Sequence, residues 1–173
     1  MASIVSVEQI KGLAAGSTPN TISIPTGQTL HAPGHVIQTV RYQAGTADIT
    51  VSSTTFVASD MQVNITPKFS NSLISLRFCF SFWLNADANN YCKSTIYRNS
   101  TNIGVGTYNS IAWFGPMRNT GYNNHATAEY TDLPNTTNAI NYRVYFAPYA
   151  ASPALRAQWS DIPSFLIAQE IAQ

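Results

Sequence analysis

Three histidines, two cysteines and eight carboxylates are the residues of this chain most able to catalyse or to bind metal. His31 and His35 stand four apart, a spacing that puts two imidazoles on one face of a helix. The segment HAPGH cannot be helical, because Pro33 and Gly34 interrupt it, so the pair does not mimic a helical zinc motif. The carboxylates are dispersed, and no two suggest a pair for acid–base work. The sequence shows no Gly-rich phosphate loop, no serine elbow and no cysteine beside a histidine. Active sites do assemble from distant residues, but so few titratable groups make an enzyme the poorest reading. No metal or cofactor is expected. Cys79 and Cys92 could pair, yet Cys79 falls in a strand-like run, where a buried free thiol is the commoner outcome. Asn64, Asn99 and Asn135 each begin an Asn-x-Ser/Thr triplet, which a chain rich in these residues yields by chance.

Binding chemistry is better represented. The longest weakly patterned connection runs from Thr107 to His125, TYNSIAWFGPMRNTGYNNH. It holds Trp113, Phe114, Tyr122 and His125 beside Asn123 and Asn124. Rings beside amides suit a sugar, which needs a flat apolar surface for its ring and fixed donors and acceptors for its hydroxyls. The same residues suit an adhesive protein contact, since Tyr and Trp dominate binding surfaces. They also suit a plain structural role, with Trp113 and Phe114 plugging one end of a core.

The composition points toward assembly. The chain of 173 residues suffices for one well-formed core and is too short for two ordinary domains. Its charged fraction is only 10 %, with a formal net charge of +1. Polarity comes instead from 17 Ser, 18 Thr and 15 Asn, groups cheaper to desolvate than ions and therefore easier to bury against another subunit. Nine Lys and Arg scattered singly form no basic run, which argues against nucleic acid as a partner. No run approaches the ~20 apolar residues of a membrane span, and a membrane is not expected as a partner. The opening MASIVSVEQIKG lacks a basic segment followed by an apolar run, so synthesis in a cytoplasm is expected.

The elements that must position these groups are strands. In LISLRFCFSFWL (73–84), Ile74, Leu76, Phe78, Phe80, Phe82 and Leu84 fall on every second residue and predict one unbroken apolar face. Six large side chains on one face need a second layer, so an antiparallel β-sandwich or jelly roll is predicted. Further strand-like runs are read at 35–43, 48–51, 54–57, 61–66, 92–98, 126–132, 139–147 and 164–171, bounded by turn residues. The alternation of AINYRVYFA matches that of 73–84, and the two are expected to pack on facing sheets or side by side. The first 33 residues differ. Ser6 and Gln9 fit a capping box, which predicts a short helix ending near Gly16, and a stretch dense in Pro, Gly and Thr follows. Residues 1–33 are therefore read as an extended arm held by neighbouring chains, and 34–173 as the sandwich.

The strand series VSSTTFVASDMQVNITPKFSNSLISLRF, IYRNSTNIG, YTDLPNTTNAINYRVYF and SFLIAQEI resembles a β-sandwich module of tailed-bacteriophage structural proteins. The elements that carry the resemblance are Thr55-Phe56-Val57, Ile65-Thr66-Pro67, the strand 73–84, Arg98 to Gly104, Asn135 to Phe146, and Glu170. That family is similar to trimeric jelly rolls of the tumour-necrosis-factor type and occurs in capsid decoration proteins and tail-fibre tips. The resemblance implies a homotrimer located in the virion, with aromatic strand faces packed around a threefold axis. It supplies no catalytic or binding residue. Two readings follow. In the first, a decoration or cement protein partners the major capsid protein and anchors through Ile4, Val7, Ile10, Leu13, Ile22 and Ile24. In the second, a short tail fibre joins tail proteins and recognises host surface glycans through the 107–125 loop.

Overall fold

Residues Leu73–Leu84 form a single twelve-residue strand, β4, and Ile74, Leu76, Phe78, Phe80 and Phe82 along it are all buried. The computed structural model describes residues 24–43, 48–84, 91–115, 124–150, 154–158 and 163–173, the side chains of Leu84 and Asn124 excepted. The predicted helix ending near Gly16 lies outside these. Met1–His31 and Ala32–Gln173 are two compact units, and every strand of the described residues belongs to the second.

Before β4 come β1 (Val36–Gln43), β2 (Ile49–Val51) and β3 (Val57–Ile65). After it come β5 (Cys92–Arg98), β6 (Thr101–Asn102), β7 (Ala112–Phe114) and β8 (Asn124–Asp132). The set closes with β9 (Ile140–Pro148), β10 (Leu155–Ala157) and β11 (Phe165–Ile171). All pairings are antiparallel. The first sheet has β4 flanked by β8 on one side and by β10 and β11 on the other, with β2 and β1 outermost. The second runs β3, β9, β5, with β6 and β7 both on the far side of β5.

Three strands are interrupted rather than doubled. β10 and β11 lie end to end along β4, β1 and β2 continue the same line outside them, and β6 and β7 share one flank of β5. With each pair counted as one strand, the first strand pairs with the last, β3 with β9, β4 with β8, and β5 with β6/β7. A long hairpin rolled into two layers in this way is a jelly roll, in which the first and last strands share one sheet. The core lies between the layers. Phe80 of β4 and Phe146 of β9 meet there at 4.4 Å between ring centres, so the two runs with matching alternation occupy facing sheets.

The segment TTFV does not form the strand expected of it. The hydroxyl Ser53 Oγ accepts the Thr55 amide at 3.1 Å, which bends the chain, and only Val57 enters β3. β3 carries a bulge, because Ala58 pairs with Tyr145 and Gln62 with Arg143 while three residues lie between Ala58 and Gln62 and one between their partners. The surplus is even, so alternation survives: Ser59, Met61, Val63 and Ile65 all face inward and are buried. Ser59 Oγ secures the bulge by donating to Val144 O (2.7 Å) and accepting from Met61 N (3.1 Å). Cys92 is buried in the core and Cys79 lies half-buried on the outer face of β4, and both thiols are free.

Two polar clusters tie the layers at the edges. Arg98 and Tyr142 are cross-strand partners in one sheet, and both reach Asp132 of the other. Arg98 Nη1 donates to both carboxylate oxygens at 3.1 Å, and the Tyr142 hydroxyl donates to Oδ2 at 2.6 Å. Burial, followed by the neighbouring carboxylate, pushes the Tyr142 phenol far above its ordinary value. Glu170 is fully buried and accepts four hydrogen bonds: Lys68 N (2.7 Å), Phe69 N (3.2 Å) and Ser72 Oγ (2.8 Å) on Oε1, and Gln38 Nε2 (2.6 Å) on Oε2. The closing strand thereby clamps the turn after Ile65-Thr66-Pro67. Charge-assisted bonds of this kind satisfy a buried carboxylate that would otherwise be costly.

Candidate functional site

The connection expected as a loop from Thr107 to His125 is partly strand. β7 occupies Ala112–Phe114 and β8 begins at Asn124, because the alternation of these short pieces is completed by partners far away in sequence. Opposite residues of an antiparallel pair share a face. Phe114 stands opposite Cys92 and turns inward, against Phe80 (5.5 Å, edge-on) and Phe82 (6.0 Å). Trp113 stands opposite Lys93 on the outer face and is 39 % exposed. His125 stands opposite Ser81 in the other sheet and is exposed there. Trp113, Phe114 and His125 therefore face three different directions and do not converge. Tyr122 and Asn123 lie outside the described residues, as does the Asn124 side chain.

Trp113 has other company. Between β6 and β7 the chain makes an excursion stabilised by Asn102, whose Oδ1 accepts from Thr95 Oγ1 (2.6 Å) and Gly104 N (2.8 Å) and whose Nδ2 donates to Asn109 O (2.9 Å). Gly106 (φ 76°) and Asn109 (φ 48°) turn it in the left-handed region, where these two residue types are tolerated. Its tip carries Tyr108, edge-on to Trp113 at 4.4 Å. Tyr149 touches Tyr108 (5.8 Å), Trp113 (5.7 Å) and Tyr91 (5.8 Å), and Tyr91 touches Trp113 (6.0 Å). Trp113 Nε1 donates to Ser110 Oγ, which fixes the indole. A hydrogen bond with Tyr149 raises the Tyr108 phenol above its ordinary value. Four rings thus form one patch at the end of the second sheet. The sequence does not single out Tyr108, which falls inside the 107–125 connection, or Tyr91 and Tyr149, which fall outside it. The available signal for the last two was their place just before β5 and just after β9, which brings them together once those strands pair.

The outer face of the first sheet is different in kind. Leu73, Cys79 and Trp83 of β4 and Phe165, Ile167 and Ile171 of β11 are half-buried on it. Arg41 and Arg77 lie over the Phe165 ring at 5.5 and 5.9 Å, and Arg77 approaches Glu129 at 3.9 Å. That ion pair is largely exposed and contributes little to stability. Thr39, Ser75, Arg77, Glu129, Ile167 and Gln169 line a shallow cleft of about 380 Å³ on this face. Among the anchors expected in the arm, Ile24 is 46 % exposed, whereas Ile4, Val7, Ile10, Leu13 and Ile22 lie outside the described residues. Among the described residues no three His, Cys, Asp or Glu gather as metal ligands would.

The fold and these surfaces define a jelly-roll β-sandwich with two outer faces that differ in chemistry. No protein-family model matches the chain, and no curated protein sequence matches it. Among solved structures, it is similar to the VP2 subviral particle of infectious bursal disease virus, with 12 % identity over 88 % of this chain and 37 % of that one, at a TM-score of 0.49. Structures of the Gx and Gt strains of the same virus are similar at 12 % and 14 % identity. They cover 87 % and 94 % of this chain and 42 % of theirs, at TM-scores of 0.44 and 0.39. The chain thus spans well under half the length of the chains it resembles, and likeness at this level carries no functional information.

Proposed function

We propose that this chain is a non-enzymatic structural protein of a bacteriophage virion, a homotrimeric capsid decoration protein that grips the shell through residues 1–33. The observation that carries the reading is the outer face of the first sheet. It presents Leu73, Cys79, Trp83, Phe165, Ile167 and Ile171 interleaved with Arg41, Ser75, Arg77 and Gln169. A face that mixes half-buried apolar side chains with hydroxyls, amides and few ions suits an interaction surface, because it costs little to bury against copies of itself. Binding the assembled shell and not its loosened form would stabilise the particle by mass action. Light scattering of the purified chain should give the mass of three protomers, and Ile167→Glu should reduce it to one. A chain that stays single at high concentration would remove the basis of this reading.

A second reading has its own support. The ring patch of Tyr91, Tyr108, Trp113 and Tyr149 suits a tail-fibre protein that binds host surface glycans. Trp113→Ala should then abolish adsorption to cells or glycans while leaving the unfolding midpoint near that of the parent. Unchanged adsorption refutes it.

A further inference from the structure

We infer that the outer face of the second sheet, around Arg143, is a binding site for an acidic polysaccharide, recognised through carboxylate or sulfate groups on its sugars. Arg143 stands directly opposite Gln62 of β3 on one side and Tyr97 of β5 on the other. Along its own strand it lies between Asn141 and Tyr145, which share its face. Asn141 Nδ2 donates to Gln62 Oε1 (3.2 Å) and to Asn64 Oδ1 (2.9 Å), so three amides form a row across two strands. Tyr97 and Tyr145 stack at 3.9 Å between ring centres, 26° from parallel. Gln62 and Asn64 are exposed, and Asn141, Arg143, Tyr145 and Tyr97 are half-buried.

The guanidinium is held in place and has no counter-ion among the described residues. The bulge in β3 takes the Ser59 carbonyl out of the ladder, and Arg143 Nε donates to it at 2.5 Å. Its terminal nitrogens have no hydrogen-bond partner among the described residues. The five carboxylates of the described residues are all engaged elsewhere. Asp48 pairs with Arg156, Glu129 with Arg77 and Asp132 with Arg98. Asp60 accepts from Tyr42 Oη (3.2 Å) and from Gln158 Nε2, and Glu170 is enclosed by the four donors described above. The second cation of this face, Lys93, donates to Thr54 O (3.4 Å) beneath the Phe56 ring, where burial lowers its pKa. Arg143 is thus a preorganised fork with free donors, and Asp60, the described acid that alternation places on this side of β3, is taken up by Tyr42 and Gln158. A planar guanidinium matches a carboxylate or sulfate bidentately. The stacked tyrosines offer the flat apolar surface that a sugar ring covers, and the amide row offers donors and acceptors for its hydroxyls. A flat sheet face suits an extended chain lying across the strands.

The site shares its face with the Trp113 patch, which lies further along β9 toward Tyr149, and it is independent of subunit number or shell attachment, which other measurements read. The test is isothermal titration of the full chain with oligogalacturonate, dextran sulfate, neutral dextran and polyglutamate. One or both acidic polysaccharides should bind; oligogalacturonate alone assigns carboxylate recognition, and dextran sulfate alone assigns sulfate recognition. Binding should weaken in about 1 M NaCl, where the screening length is ~3 Å. Arg143→Gln and Tyr145→Ala should each weaken it about tenfold or more, Arg143→Lys should fall between, and Trp113→Ala should leave it unchanged. The inference is overturned if neither acidic polysaccharide binds, if dextran or polyglutamate binds as well as they do, or if Arg143→Gln and Arg143→Lys both bind like the parent. Arg143→Lys also covers the case in which Arg143→Gln fails to fold.

Discussion

Asp132 and Tyr142 show how one polar contact can serve two layers. The phenol donates to a carboxylate that Arg98 also holds, so a single hydroxyl joins β9 to β8 across the core. Tyr142→Phe should cost about 1–3 kcal/mol at neutral pH, because Asp132 keeps its burial and loses a donor. The effect also depends on pH. The folded phenol is raised above its ordinary 10.0, so above that pH the unfolded chain gives up its proton first and stability falls as pH rises. Cys92, whose burial raises its thiol above the ordinary 9.0, adds a fall of the same sign. Lys93, lowered by burial, acts with the opposite sign, since its folded form releases the proton first. Urea midpoints taken on the alkaline side of pH 10 should therefore decline less steeply with pH in Tyr142→Phe than in the parent. Parallel declines would show that Tyr142 does not carry the effect.

Among the elements, the flank of β5 is the most informative. β6 and β7 occupy one line, and the excursion between them lifts Tyr108 onto Trp113. Gly104 holds the excursion close: a Cβ there would collide with the Asn109 carbonyl and lie 2.5 Å from Thr95 Oγ1. The obstacle includes backbone, so it cannot yield as the end of a flexible side chain would. Gly104→Ala should destabilise the protein by about 1–3 kcal/mol and separate Tyr108 from Trp113, read as a change in tryptophan fluorescence with the fold retained. An unaltered spectrum and midpoint would mean that the excursion has more room than its geometry indicates.

At the scale of the whole molecule, the two outer faces of the sandwich differ, one mixing half-buried apolar side chains with polar and charged ones and the other built of amides and rings. The proposed arm is a further attachment. Deleting residues 1–33 should leave the subunit number of the sandwich unchanged by light scattering while abolishing its attachment to phage shells in a sedimentation assay. A truncated chain that still coats particles would show that the arm is not the anchor.

Alternation alone determined a good deal. A period of two in 73–84 allows one way of burying five large side chains in water, and the same reasoning located 92–98, 139–147 and 164–171 close to their observed bounds. Short or mixed runs were less legible. Leu155–Ala157 and Ala112–Phe114 become strands only because β4 and β5 offer them an open flank, and TTFV fails to because Ser53 captures the Thr55 amide. Which side chains meet was decided by the tertiary structure. Neighbours in sequence such as Trp113 and Phe114 part to opposite faces, whereas Tyr91, Tyr108 and Tyr149 gather from three segments. Local pattern sets the face on which a residue lies, but its partners depend on long-range register, and register is settled only when two sheets pack their cores together.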